Sequence, residues 1–257
     1  MKALVFHIRL NSLYSIRIPF TWQSALTYPV PPPSAVIGML ANALQRYKND
    51  RHPLQYLEKI ENELIWAGSK LLSPCIIKSY TTSAIVKWDD TMPWKFTNAI
   101  GRQFAYAQQI QIATIFKDES IVNEIVKALK ISPLTCGDSE SPITIEDEVF
   151  IKNVYEIDKE TITTGYPLPF SKDTKIKDGN GRVYLMHERC KKRHISLYLR
   201  TYLIPIVEIQ GICHPSTIKI ERTNEKFFKI DEIDFVVAYD SSSESRLEKK
   251  TNKKRKK

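Results

Sequence analysis

Thr27-Tyr28-Pro29-Val30-Pro31-Pro32-Pro33-Ser34-Ala35-Val36-Ile37-Gly38-Met39-Leu40 decides how the chain begins to fold. The prolines forbid helix up to Pro33, and Ser34 then permits it, because a serine hydroxyl can accept a first-turn backbone N–H as an N-cap. From there Val36, Ile37, Met39, Leu40, Ala43, Leu44 and Tyr47 recur at helical spacing into Lys48. The free N–H groups of such a helix face the loop that follows the first strand, and a phosphate suits them. The same pattern also reads as a capped helix that binds nothing.

Working outward, Lys2 to Leu10 alternates as a half-buried strand, with Leu4, Phe6, Ile8 and Leu10 on one face and Val5, His7 and Arg9 on the other. Pro53 to Trp66 reads as a second amphipathic helix, with Leu54, Leu57, Ile60 and Leu64 in register and Pro53 at a tolerated first position. Ile76 to Lys87 and Ala107 to Phe116 read as strands, Ser120 to Lys130 as a helix, and Val149 to Ile157 as a strand. This order predicts an α+β fold: a ferredoxin-like, RRM-like unit over residues 1–160, whose open sheet face commonly holds RNA.

Between the two central strands, residues 88–106 are far longer than a hairpin turn needs. Trp88, Trp94, Phe96, Phe104 and Tyr106 alternate there with Lys95, Arg102 and Gln103. Aromatics beside cations suit stacking on unpaired bases and gripping of phosphates, and equally suit packing against the body or a partner. Residues 161–240 read as a smaller β-rich second domain, with a boundary near Gly165-Tyr-Pro-Leu-Pro169. Its expected strands are Arg182 to Met186, Ile195 to Ile204, Ile206 to Ile212, Thr217 to Ile220 and Ile233 to Tyr239. Asp178-Gly-Asn-Gly181 supplies a turn rather than a phosphate cradle, since no Lys-Ser/Thr follows it.

The net charge of +9 is unevenly placed. Residues 246–257 hold eight Lys/Arg against Glu248 alone, so residues 241–257 read as a disordered basic tail over a nearly neutral body. Within the body, residues 1–49 carry Lys2, Arg9, Arg17, Arg46 and Lys48 with no acid, whereas Gly137 to Glu160 holds eight acids against Lys152 and Lys159. His187-Glu-Arg-Cys-Lys-Lys-Arg-His194 is the densest basic cluster of the body. Apolar runs fall short of a membrane span and the first residues lack a signal-peptide pattern, which predicts a cytoplasmic protein. Cys75, Cys136, Cys190 and Cys213 form no CxxC pair, so reduced, buried thiols are expected, with no zinc site, cofactor or disulfide framework.

Three segments carry a resemblance. A first strand, a turn with Arg17, and then SxxTYPxPPPSxxxGxL (Ser24 to Leu40) resemble the opening of the fifth CRISPR-associated protein family, of the RAMP superfamily. Pro133-Leu-Thr-Cys-Gly-Asp-Ser-Glu-Ser141 resembles that family's GDSES-type segment, and Val183 to Tyr202 resembles its later basic strand pair, especially in subtype I-A. The resemblance implies a Cascade scaffold subunit at the 5′ handle of the guide crRNA, beside the main backbone subunit and the large subunit, meeting target DNA at most indirectly. It also implies that residues 88–106 form a thumb engaging guide RNA and the neighbouring backbone subunit. The RNA-binding candidates are Arg9, Arg17, Ser34, Trp94, Lys95, Phe96, Arg102, Lys191, Lys192, Arg193 and His194.

Some family members of subtype I-C cut repeat RNA. Metal-independent cleavage needs a base for the 2′-hydroxyl and an acid for the leaving oxygen, and His7, His52, His187 and His194 form no recognisable pair in the sequence. Asp89-Asp90 and Glu146-Asp147-Glu148 are adjacent acids that point to opposite faces of a strand, so neither forms an obvious metal cage. The expectation is therefore a non-catalytic type I-A subunit. A repeat-RNA endonuclease of the same family and a type III RAMP subunit are the alternatives.

Overall fold

The computed structural model describes residues 1–21, 24–87, 96–190, 199–221 and 225–239, with the backbone alone at 82–87 and 96–100. Through the first half run β1 (Lys2–Leu10), β2 (Ser24–Ala25), α1 (Pro33–Lys48), α2 (Pro53–Glu63), β3 (Leu64–Leu71), β4 (Cys75–Lys87), β5 (Phe96–Ala107), β6 (Gln109–Phe116) and α3 (Glu119–Ile131). Next come β7 (Leu134–Thr135), β8 (Pro142–Ile145), β9 (Phe150–Ile157), β10 (Thr161–Thr164), β11 (Leu168–Pro169), β12 (Ile176–Asp178) and β13 (Arg182–His187). The described strands end with β14 (Leu199–Ile204), β15 (Ile206–Ile209), β16 (Ile212–Pro215), β17 (Ile218–Glu221), β18 (Lys226–Ile230) and β19 (Asp234–Ala238).

The main sheet follows the order β19-β18-β9-β1-β6-β3, with β8 pairing the end of β1. Neighbouring strands are antiparallel throughout, from Leu4 opposite Thr114 to Ala67 opposite Thr114 on the far side of β6. The alternation read in β1 orients it: Leu4, Phe6, Ile8 and Leu10 face α1 and α3, where Val36, Ile37, Leu40, Leu44, Val122 and Ile125 fill the core.

The strand between α2 and the hairpin is where the sequence reading fails. The expected helix Pro53 to Trp66 ends at Glu63, and Leu64 takes extended dihedrals. Trp66 lies in β3, whose burial suits a sheet strand. The apolar residues Leu54, Leu57, Ile60 and Leu64 fit helical spacing, yet Leu64-Ile65-Trp66 is also a β-favouring run, and pairing with β6 decides the outcome. The expected strand from Ile76 therefore belongs elsewhere: β4 pairs with β5 as a long hairpin, joined by β2 on one side and by β16 and β15 on the other.

The sheet face opposite the helices was expected to be open. Instead Tyr166, Phe228, Ile230 and Val236 cover Ala3, Val5, Trp66 and Ile115 there. Farther along the same face His7 Nδ1 lies 2.8 Å from Asp147, its Nε2 lies 2.8 Å from the Gln111 amide nitrogen, and the Tyr166 hydroxyl donates to Gln111 Oε1 at 2.7 Å. With the Gln111 amide donating to Nε2, the His7 proton sits on Nδ1 and points at Asp147.

Later strands also depart from expectation. The single strand expected over Ile206 to Ile212 is a tight hairpin, because Gln210 and Gly211 both have positive φ, 51° and 78°, as a type I′ turn demands. The unanticipated β18 bridges β9 and β19, so residues from the second half extend the main sheet. Trp94, Lys95, Lys191, Lys192, Arg193, His194, the side chain of Phe96 and the tail from residue 240 lie outside the described residues. No helix among the described residues is long and apolar enough to cross a membrane.

Candidate nucleic-acid interface

The Thr27 to Ser34 segment is a buried brace. Tyr14 donates its hydroxyl to the Tyr28 carbonyl at 2.9 Å, Tyr28 donates to the Leu185 carbonyl at 2.5 Å, and Ser69 donates to the Pro31 carbonyl at 2.6 Å. Tyr28 also meets Tyr184 edge to face. The segment thus pins the start of α1 against β13. Ser34 is not the N-cap: that position is Pro32, with no side-chain cap, and its carbonyl receives the Ala35 and Val36 N–H groups. Proline tolerates the first helical position because its missing N–H would have no intrahelical partner, so the helix starts one residue before Ser34.

A cleft of about 530 Å³ opens beside that first turn. Ser34, Ala35, Gly38, Met39 and Asn42 of α1 form one side; Ile16, Thr135 and Gly137 form another; His187, Arg189 and Cys190 close it. All three segments that carry the sequence resemblance meet here. Gly137 has φ of 89°, and a Cβ there would stand 2.4 Å from Ile16, which explains glycine at that position. Gly38 has the opposite character. A Cβ added to it would meet nothing within 4 Å, although glycine in a helix interior costs about 1 kcal/mol relative to alanine.

Arg189 donates from Nη2 to the Leu64 and Ile65 carbonyls at 3.2 and 3.4 Å, while its Nη1 is buried without a partner among the described residues. The Cys190 N–H donates to Glu61 at 2.6 Å, and its thiol lies 3.1 Å from the Ser34 carbonyl. Burial pushes that thiol up to about 12. Burial also raises the neighbouring Glu188 carboxyl above its ordinary value, against the opposing pull of Arg200 and Arg189.

The β4–β5 hairpin carries a second set of groups. Lys78 faces Phe104 and Tyr80 faces Arg102 across the ladder, and Ile76 faces Tyr106, so these side chains share one face. Tyr80 and Phe104 meet edge to face at 5.6 Å, and the Arg102 guanidinium lies 4.7 Å from the Phe104 ring. Arg102 also bonds Asp138 at 2.7 Å, next to Gly137 of the cleft.

Other sequence candidates are elsewhere or differently engaged. Arg17 donates to the Thr21 carbonyl at 2.5 Å and to its hydroxyl at 3.4 Å. Arg9 is half-exposed and lies 3.7 Å from Glu146, among the acids of the face opposite the helices. His52 caps α2 by accepting the Leu54 N–H. Sequence reasoning reached Ser34 and, through the basic run His187 to His194, the cleft residues His187 and Arg189; it carried Gly38 only as part of the Ser24 to Leu40 motif and missed Asn42 of the cleft and Tyr80 of the hairpin face. Among the described residues no group of three His, Cys, Asp or Glu is placed to hold a metal ion.

The fold matches the crystal structure of a CRISPR protein from Archaeoglobus fulgidus, with a TM-score of 0.61 at 18% identity, over 94% of this chain and 100% of that one. A chain of the Type III-B Cmr-beta complex bound to cognate target RNA and AMPPnP matches at 11% identity and TM-score 0.44, over 83% of this chain and 86% of that one. A chain of a CRISPR RNA-guided surveillance complex matches at 15% identity and TM-score 0.40, over 91% of each. No curated protein matches the chain. Residues 4–129 match the family described as CRISPR-associated protein (Cas_Cas5). The first half of the chain is thus similar to the Cas5-type family of CRISPR-associated proteins.

Proposed function

We propose that this chain is a non-catalytic guide-RNA-binding subunit of a type I-A Cascade complex. It holds the 5′ handle of the crRNA beside the main backbone subunit and the large subunit, and meets target DNA only through that assembly. The observation that carries this reading is Gly38, a helix-interior glycine over open space in a cleft where the three resemblance segments meet. A residue that weakens its own helix and leaves space unfilled suits close approach by a ligand.

The sheet order β9-β1-β6-β3, with α1 and α3 on one face, supports reading residues 1–160 as the ferredoxin-like unit and residues 161–240 as the β-rich second domain. The β4–β5 hairpin then serves as the thumb. Its Tyr80, Phe104 and Lys78 face supplies stacking and charge beside Arg102. A non-catalytic role is favoured by the engagement of His7 at both ring nitrogens and of His52 in a helix cap.

Binding titrations of the assembled complex, with guide RNA carrying intact or scrambled handles, test the reading. Gly38→Leu should weaken intact-handle binding roughly tenfold, about 1.4 kcal/mol, with assembly retained. Gly38→Ala should raise stability by up to about 1 kcal/mol. Unchanged affinity for Gly38→Leu would remove the cleft from the RNA path. Site-specific cleavage of repeat RNA, lost on His7→Ala, would make the chain an endonuclease, and co-purification with type III subunits would exclude type I-A.

A further inference from the structure

Cys75 and Cys213, 138 residues apart in sequence, are direct cross-strand partners where β4 meets β16. Residues opposite each other on antiparallel strands project to the same face with Cβ atoms roughly 4.5–5.5 Å apart, and a disulfide spans Cα separations of about 4.4–6.8 Å. Both thiols are free and buried. The junction itself is slight: the β4–β16 ladder consists of Ile212 opposite Ile76 and Cys213 opposite Cys75. So short a ladder opens locally at low cost, which admits a small oxidant without global unfolding.

We infer that Cys75 and Cys213 are an oxidisable pair that closes into a cross-strand disulfide, fastening the base of the β4–β5 hairpin to the β15–β16 hairpin of the second half. With hydrogen peroxide as the two-electron oxidant, one thiolate attacks a peroxide oxygen, the O–O bond breaks, and a sulfenic acid and one water result. The second thiolate attacks that sulfur and expels hydroxide, which leaves as a second water after taking the remaining proton. Two thiols lose two protons and two electrons, and peroxide becomes two waters. Burial raises the Cys75 thiol to about 12, which leaves little thiolate near neutral pH, so closure is slow.

Closure changes the chain's mechanics. The hairpin that displays Tyr80, Phe104 and Arg102 is held at its base by hydrogen bonds when reduced and by a covalent bond when oxidised.

The test treats the purified full chain with hydrogen peroxide, quenches, unfolds it with iodoacetamide present, and digests it without reductant. Alkylatable thiols should fall from four to two, with one peptide pair joining Cys75 to Cys213 and separated by dithiothreitol. The oxidised chain should melt at a higher temperature than the reduced one, and this shift should be absent in Cys213→Ala. Four alkylatable thiols after treatment, a bond to Cys136 or Cys190 instead, or sulfinic acid without any cross-link would each overturn the assignment. Peptide mapping of the wild-type chain decides the matter even if the alanine variant fails to fold.

Discussion

Two glycines of one cleft behave in opposite ways, and the contrast separates structural demand from vacancy at the scale of a residue. Gly137 needs its left-handed backbone and has no room for a Cβ against Ile16, whereas Gly38 has an unstrained helical position and room to spare. Gly137→Ala should therefore destabilise the chain by about 1–3 kcal/mol, read as a lowered urea midpoint with unchanged slope. Ile16 also lines the cleft, so the cost of that substitution includes a displaced wall. At Ser34 the sequence pointed to the right place with the wrong mechanism. The proline run organises the helix start through its own carbonyls, leaving the serine side chain beside the cleft.

Among the elements, the three helices are joined by one carboxylate. Glu124 of α3 lies 2.7 Å from Lys59 of α2 and 3.2 Å from Lys48 of α1, and Lys59 first, then Lys48, holds its carboxyl below the ordinary value of 4.5. A lowered folded-state value means that the unfolded chain binds the proton more tightly. This contribution is therefore present above about pH 4.5 and disappears as pH falls through the folded-state value. Glu124→Gln should remove that part of the acid-induced loss and cost at most about 1 kcal/mol at neutral pH, because the site is a third exposed. Denaturation midpoints between pH 3 and 7 check both statements. The helices α1 and α3 and the strand β1 were legible because strong periodicity agrees with their burial. The strand β3 was not, because Leu64 continues a helical spacing that only pairing with β6 overrules. Nor was the cleft, whose walls come from segments about 100 and 150 residues beyond α1 and meet through tertiary packing alone.

At the scale of the whole molecule, the residues proposed as a second domain also complete the sheet of the first. Tyr166, Phe228, Ile230 and Val236 shield the apolar back of the main sheet, and β18 and β19 extend it past β9. A fragment ending at residue 160 should expose Ala3, Val5, Trp66 and Ile115, bind a hydrophobic dye and lack a cooperative melt, whereas the full chain should unfold in a single transition. An independently melting fragment would show that the shielding contributes little. Beside that shielded region, the acids Glu146 and Asp147 occupy His7, Arg9 and Gln109 on the face away from the helices. Arg9, a cation of the acid-free opening, is thus already answered by an acid of its own chain, so a polyanion gains from it only by displacing Glu146, and the cleft beside α1 stands apart from that competition.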